Sequence, residues 1–308
     1  MTLAPLAKRL LLCCICALGF DSSAVSSTAV SGSSANMSPL NTSSGDASSA
    51  EALRVLSNID YVPEQEYSDN RDRLDVYLPS QSSNKPILIH FHGGGLTSGS
   101  KEKGSRAFAT TLAQHGVCVV APNYRLAPIH PFPAQINDAV KAVHWAISHM
   151  QDYGCDISNV FVSGHSAGAY LAALMAVDAD RLSDNVNLAH NIKAAVAISP
   201  LLELAKLDKS HLEAVWGSDE TLYQNASVTA HVGENKIPLL LMFADDDHQG
   251  MQQEIEAFAG AMLNYNNHLG VVEASHRDHK SIINHLNRND DIVKSTILGW
   301  IALHVAGL

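Results

Sequence analysis

Val160-Phe161-Val162-Ser163-Gly164-His165-Ser166-Ala167-Gly168-Ala169-Tyr170-Leu171 is the stretch on which the reading of this chain turns. The apolar run Val160 to Val162 is expected to be a strand and Gly164 to Gly168 a sharp turn. Tyr170 to Val177 is then a helix of mostly small residues, able to lie close to a sheet. Strand, tight turn and helix around Gly-x-Ser-x-Gly is the setting of a nucleophile elbow, which holds one serine hydroxyl out at the end of a strand. Glycine stands near Ser166 on both sides because a larger side chain would strike the adjoining strand or helix. An incidental serine in a glycine-rich turn would show the same five residues, so a second signal is needed.

That signal lies about seventy residues upstream, where the buried-strand run Ile87 to His92 ends in Gly93, Gly94 and Gly95. A His-Gly-Gly-Gly sequence exposes backbone N–H groups. When an acyl group is attacked its carbonyl becomes an oxyanion, and losing one donor from its cradle costs about 3 kcal/mol. The amides of Gly94, Gly95 and Ala167 are therefore the expected oxyanion hole. His92 is read as a residue that orients the loop and not as an acid or base.

Further out the alternation continues. Val117 to Ala121 is a strand stopped by Pro122, and Ile136, Val140, Val143, Ile147 and Met150 form one face of a helix from Pro133 to Met150. Ala194 to Ile198 and Pro238 to Phe243 are two more buried strands, with helices at Ile255 to Leu263 and Ile292 to Ile301. Short apolar runs alternating with helical stretches predict a mostly parallel central sheet flanked by helices. Ligands bind such sheets outside the carboxyl ends of the strands.

A serine hydroxyl needs a base, and the base needs an acid to fix its tautomer and stabilise the imidazolium. Serine, acid and histidine are expected in that order along the chain. The strand Pro238 to Phe243 runs into Asp245, Asp246 and Asp247, three candidates for one post. About thirty residues later stand His276 and His279, the latter opening a helical stretch.

Several of these stretches together resemble a known group. His92 to Gly95, Asn123-Tyr124-Arg125-Leu126-Ala127-Pro128 and His130-Pro131-Phe132-Pro133 are similar to the hormone-sensitive-lipase group of α/β hydrolases. The Gly-His-Ser-Ala-Gly elbow and the strand Leu74-Asp75-Val76-Tyr77-Leu78 are closer to the related BD-FAE-like esterase and kynurenine-formamidase-like branch. The likeness covers most of Arg71 to Val177. It implies the α/β-hydrolase fold, hydrolysis of carboxylic esters through an acyl-enzyme, and, by position, Asp247 as the acid and His279 as the base. Ala244 stands where the family has a strand-closing glycine, and Leu96 where it often has an aromatic residue.

Composition sets the outer limits. With 46% hydrophobic and 17% charged residues the chain can bury a large core, and a net charge of −11 argues against a nucleic-acid partner. The 16 histidines include no HExxH sequence and no cysteine cluster of zinc spacing, so neither a metal nor a cofactor is expected. Lys8 and Arg9, the apolar run Leu10 to Phe20 and the small polar residues after it read as a secretory signal peptide over 1–24. A Ser/Ala-rich linker follows over 25–52, then a catalytic domain over 53–308. The apolar run is too short for a stable membrane span, so a secreted or periplasmic, envelope-located protein is expected. Signal cleavage would leave only Cys118 and Cys155; a buried free Cys118 is the simpler reading, with pairing left open.

Between Pro200 and Pro238 there is room for a small cap helix, within Leu201 to Val215, but not for a large lid. Small accessible esters therefore suit the chain better than lipid interfaces. N-formylkynurenine hydrolysis by the same triad is the alternative, and a binding module on an inactive hydrolase fold the remote one. Oligomeric state is not legible.

Overall fold

The computed structural model describes residues 53–64, 67, 69–178, 191–288 and 291–307. The expected signal peptide and the whole of the expected linker lie outside them. Eight strands form one sheet: β1 Arg54–Asp60, β2 Arg73–Leu78, β3 Lys85–Phe91, β4 Cys118–Pro122, β5 Cys155–His165, β6 Ile192–Ile198, β7 Leu239–Asp246 and β8 Leu269–Asp278. Their order is β1-β2-β4-β3-β5-β6-β7-β8, with β2 antiparallel to both neighbours and every other pairing parallel.

The strands read as continuous apolar runs because both faces of the sheet are covered. In β3, Ile87, Ile89 and Phe91 join one core cluster and Leu88 the other; in β5, Val160 and Val162 face one way and Phe161 the other. One face carries α3 Ala134–His149, α4 Ala167–Val177 and α7 Met251–Leu263. The opposite face carries α2 Arg106–Gln114, the short α8 Ser281–Asn284 and α9 Ile292–Val305; α1 Lys101–Gly104 precedes α2. Helix α3 meets the sheet with Ile136 and Val143 buried, the face its spacing predicted, and all eleven residues of α4 are buried.

After β6 the chain makes a small cap from the 3-10 turn Leu204–Lys206, α5 Lys209–Trp216 and α6 Glu220–Ala226. The Asp208 and Asp219 carboxylates accept from the first free amides of α5 and α6. The cap is seated on the body where Phe132 N–H donates to Val215 O at 2.8 Å and Tyr170 Oη–H to Ala226 O at 3.0 Å.

One expectation is corrected. Cys118 is not free: it is disulfide-bonded to Cys155 across a sequence separation of 37 residues. Cys118 begins β4 and Cys155 begins β5, on either side of β3, where the register sets Ile87 beside Cys118 and Lys85 beside Cys155. The parallel sheet thus brings together two residues that the sequence leaves far apart. Among the described residues no helix is long and apolar enough to cross a membrane.

Candidate active site

The carboxyl ends of β3, β5, β6, β7 and β8 converge on one side of the sheet, and every candidate residue sits there. Ser166 follows β5 directly and holds φ 54° and ψ −118°, a conformation that costs an L-residue energy and that its surroundings must impose. Its N–H donates to Ile198 O at 2.9 Å, while its carbonyl accepts from Tyr170 N–H at 3.0 Å as α4 begins. The elbow glycines allow this turn by close approach. A Cβ on Gly164 would stand 2.2 Å from Gly168 O, and one on Gly168 would stand 2.1 Å from Phe91 O.

The glycine loop after β3 lies against this elbow. A Cβ on Gly93 would be 3.2 Å from Ser166 Cβ, so the loop passes the serine in van der Waals contact. Gly94 has φ 127° and its carbonyl accepts from Thr97 N–H and Ser98 N–H at 3.1 and 3.0 Å. Among the described residues the Gly94 and Gly95 amides donate to no protein acceptor. The Ala167 amide is the first of α4, one of the orphan donors of a helix N-terminus. Donors without acceptors, next to a serine, form a place for negative charge.

His92 anchors this loop, as expected. Its ring is fully buried, stacks on Tyr124 at 4.2 Å, and its Nδ1–H donates to Gly93 O at 2.8 Å; Tyr124 Oη–H donates to His92 O at 2.6 Å. Burial holds the imidazole down to about 4, so it is neutral at neutral pH.

The three aspartates part company in the fold. Asp245 accepts from the amides of His276 and Arg277 at 2.8 and 3.0 Å, where the register between β7 and β8 shifts, and Asp246 is exposed at the end of β7. Asp247 alone of the three reaches an imidazole: its Oδ1 accepts from His279 Nδ1–H at 2.7 Å. Its side chain is 2% exposed against 18% for His279. Burial pushes the Asp247 carboxyl up, but donation from His279, Ser199 Oγ and the His248 and Ala244 amides outweighs it and holds the group well below the usual carboxylate range. It is ionised at neutral pH. His276, within β8, has φ 60°, is exposed and has its amide held by Asp245; the half-buried His279 is the imidazole bonded to Asp247.

No hydrogen bond joins Ser166 Oγ to His279 among the described residues. His279 is instead tied to the residue before the serine: His165 Nε2–H donates to His279 O at 2.6 Å, with the two rings 4.8 Å apart. Bonds between nucleophile and base are often loose in unliganded enzymes.

Three neighbours of the site were not singled out from the sequence. Ser199, at the end of β6, donates to Asp247 Oδ2 at 2.5 Å; His165 anchors the His279 loop; and the His248 ring lies 4.0 Å from that of His279. His165 is the variable position of the elbow sequence, the one signal that could have drawn attention. Asp247, His248 and His279 each bring one ligand-type atom within 4.8 Å of the others, but Asp247 and His279 already share a proton, and that bond would have to break for an ion to enter. Over the glycine loop the cap presents His211, whose Cε1 is 2.8 Å from where a Cβ on Gly95 would stand. Behind it Trp216 packs against Phe132 at 6.3 Å and Tyr170 at 5.9 Å, an aromatic wall one helical turn from Ser166.

The BD-FAE family model matches residues 74–262, more than half of the chain and inclusive of the glycine loop, the elbow and Asp247. The chain belongs to the BD-FAE family. Kynurenine formamidase of Danio rerio is 28% identical over 236 residues, 75% of this chain and 78% of that protein. Esterase LipI of Mycobacterium tuberculosis is 40% identical over 108 residues, but this BD-FAE member spans only 32% of its length with 33% of its own. Among solved structures, esterase B of Lactobacillus rhamnosis superposes with a TM-score of 0.71 at 20% identity, over 83% of this chain and 88% of that one. A truncated carbohydrate esterase from gut microbiota gives 0.70 at 18% identity, over 85% and 100%. These likenesses establish the α/β-hydrolase fold.

Proposed function

We propose that this protein hydrolyses carboxylic esters of small molecules, with Ser166 as nucleophile, His279 as general base and acid, and Asp247 as the orienting carboxylate. The observation that carries the reading is the 2.7 Å bond from His279 Nδ1 to the buried, ionised Asp247, beside a strained serine and a row of amides without acceptors. Asp247 fixes the tautomer with the proton on Nδ1, which leaves Nε2 as the base. Ser166 Oγ attacks the acyl carbon and its proton passes to His279 Nε2. The carbonyl oxygen, now negative, is received by the amides of Gly94, Gly95 and Ala167. As the tetrahedral species collapses, His279 returns the proton to the departing alkoxide. Water then repeats the sequence on the acyl-enzyme and releases the acid.

The small cap, with His211 over the glycine loop, favours compact esters, and the esterase names among the relatives support the reaction class. The Cys118–Cys155 disulfide supports an oxidising compartment and so the export that the residues 1–24 suggest. A second reading has one specific support: the formamidase of Danio rerio is matched over most of its length. N-formylkynurenine would use the same machinery on an activated amide.

The test is turnover of p-nitrophenyl esters from acetate to decanoate, beside N-formylkynurenine, by the wild type and Ser166→Ala. Ester hydrolysis lost in the variant upholds the proposal. Turnover of the formamide alone moves the reaction to the second reading, and equal rates in the variant overturn both.

A further inference from the structure

Ser199 occupies an unusual place. It is fully buried at the carboxyl end of β6, its backbone lies at φ 51°, and its N–H donates to Met242 O at 2.7 Å. A non-glycine residue at positive φ is strained, and such strain persists only where the surroundings over-determine the conformation. Among the described residues its side chain makes one hydrogen bond, to Asp247 Oδ2 at 2.5 Å. The carboxylate can only accept, so the hydroxyl is the donor. Asp247 Oδ1 accepts from His279 Nδ1 and the His248 amide, and Oδ2 from Ser199 and, at 3.2 Å, the Ala244 amide. The four donors come from β6, β7 and the loops after β7 and β8.

The residue before Ser199 completes the pattern. Ile198 O accepts the Ser166 N–H at 2.9 Å. Two consecutive residues at the carboxyl end of β6, its last residue and the one after it, therefore hold the two ends of the proposed triad, Ile198 the nucleophile through its backbone and Ser199 the acid through its hydroxyl.

We infer that Ser199 is a positioning residue for ester hydrolysis: its hydroxyl fixes the carboxylate plane of Asp247 and takes up part of its charge, so that His279 is held in line with Ser166. The inference rests on the triad proposed above. Without the hydroxyl, Oδ2 loses its one side-chain donor among the described residues, and the carboxylate can turn about its Cβ–Cγ bond. The charge then concentrates on the face towards His279, which stabilises the imidazolium and makes His279 a more readily protonated base.

The experiment compares Ser199→Ala, Ser199→Gly, Asp247→Asn and the double variants Ser199→Ala/Asp247→Asn and Ser199→Gly/Asp247→Asn, on p-nitrophenyl acetate. Glycine removes the hydroxyl but relieves the positive φ, so a loss common to both single variants belongs to the hydroxyl and not to folding. The expected result is a fall in kcat of about 10-fold in both, with KM unchanged within about two-fold and the acid limb of kcat/KM moved to higher pH. In the Asp247→Asn background the Ser199 changes should alter kcat less than about two-fold, because the group acted upon has gone. Wild-type kcat and an unmoved limb in the single variants would overturn the inference, as would a full 10-fold loss in the Asp247→Asn background or recovery of activity by glycine alone. Near-wild-type activity in Asp247→Asn would instead overturn the triad, and the inference with it.

Discussion

His165 donates its Nε2 proton to the main-chain carbonyl of His279 at 2.6 Å, so the residue before the proposed nucleophile is bonded to the residue that bears the proposed base. The bond joins the end of β5 to the loop after β8, strands that are three places apart in the sheet. Burial, with the nearby His279 as a lesser cause, holds the His165 imidazole down to about 4. At neutral pH it is therefore uncharged, with its Nε2 proton committed to that carbonyl.

Replacing His165 with leucine keeps the volume and removes the tether. The His279 loop is then free to drift relative to Ser166, and a displacement of about 1 Å at a reacting centre can cost 100-fold. The expected outcome is a fall in kcat of about 10- to 100-fold with KM little changed, read by steady-state kinetics on a short p-nitrophenyl ester. Unaltered kcat would mean that the loop is held by other contacts.

The tether shows what the sequence could and could not disclose. Continuous apolar runs identified β3 to β7 because burial on both faces dictates their composition, and Gly164, Gly168 and the glycine loop were legible because chain approaches near 2 Å admit no side chain. β1 and β8 were not read: β1 lies at the sheet edge with largely exposed residues, and β8 alternates Val271 and Val272 with Glu273, His276 and Arg277. The disulfide and the Ser199 and His165 bonds were invisible for a different reason. Each depends on which strands become neighbours, and the order β4-β3-β5-β6-β7-β8 is a property of the sheet that no local pattern carries. The choice among Asp245, Asp246 and Asp247 needed the pairing of β7 with β8, in which Asp245 is spent on the amides of His276 and Arg277.

The three carboxylates are separable by experiment. Asp247→Asn would leave His279 without its acceptor and favour the wrong tautomer, a change that costs about 10,000-fold in a well-studied serine protease. A loss of 1,000-fold or more in kcat, roughly, is expected here. Asp246→Asn should leave kcat within about two-fold, since the side chain is exposed. Asp245→Ala should lower the melting temperature through the two lost amide bonds, with a smaller effect on kcat than Asp247→Asn. Comparable losses in all three would contradict the assignment.

The disulfide lies at the amino ends of β4 and β5, whereas the site lies at the carboxyl ends of the strands, so the two are separable. Closing a loop of 37 residues restricts the unfolded chain by up to about 4 kcal/mol. Cys118→Ala/Cys155→Ala, or reduction in mild denaturant, should lower stability by about 2 to 4 kcal/mol in urea unfolding while kcat at 25 °C stays within about two-fold. A large loss of kcat in folded protein would show that the bond reaches the site after all.

Acid should weaken the fold before it discharges Asp247, because three histidines are buried neutral around the site. Burial holds His90 well below its ordinary range and His92 and His165 down to about 4. Between the ordinary histidine value near 6.5 and pH 4 the unfolded chain takes up protons that the folded chain refuses. Stability therefore rises with pH across that window and falls as pH drops through it. For His92, which is fully buried, the difference amounts to roughly 3 kcal/mol at pH 4. Asp247 has the opposite character: its folded value is depressed, so its contribution is complete above the ordinary aspartate range and lost only in stronger acid. Urea unfolding from pH 7.5 to pH 4 should show stability declining from about pH 6.5 downward. His92→Asn should reduce the slope even though the variant is less stable at neutral pH. A stability constant to pH 4 would mean that these imidazoles accept protons in place, and that the burial seen around the glycine loop opens in solution.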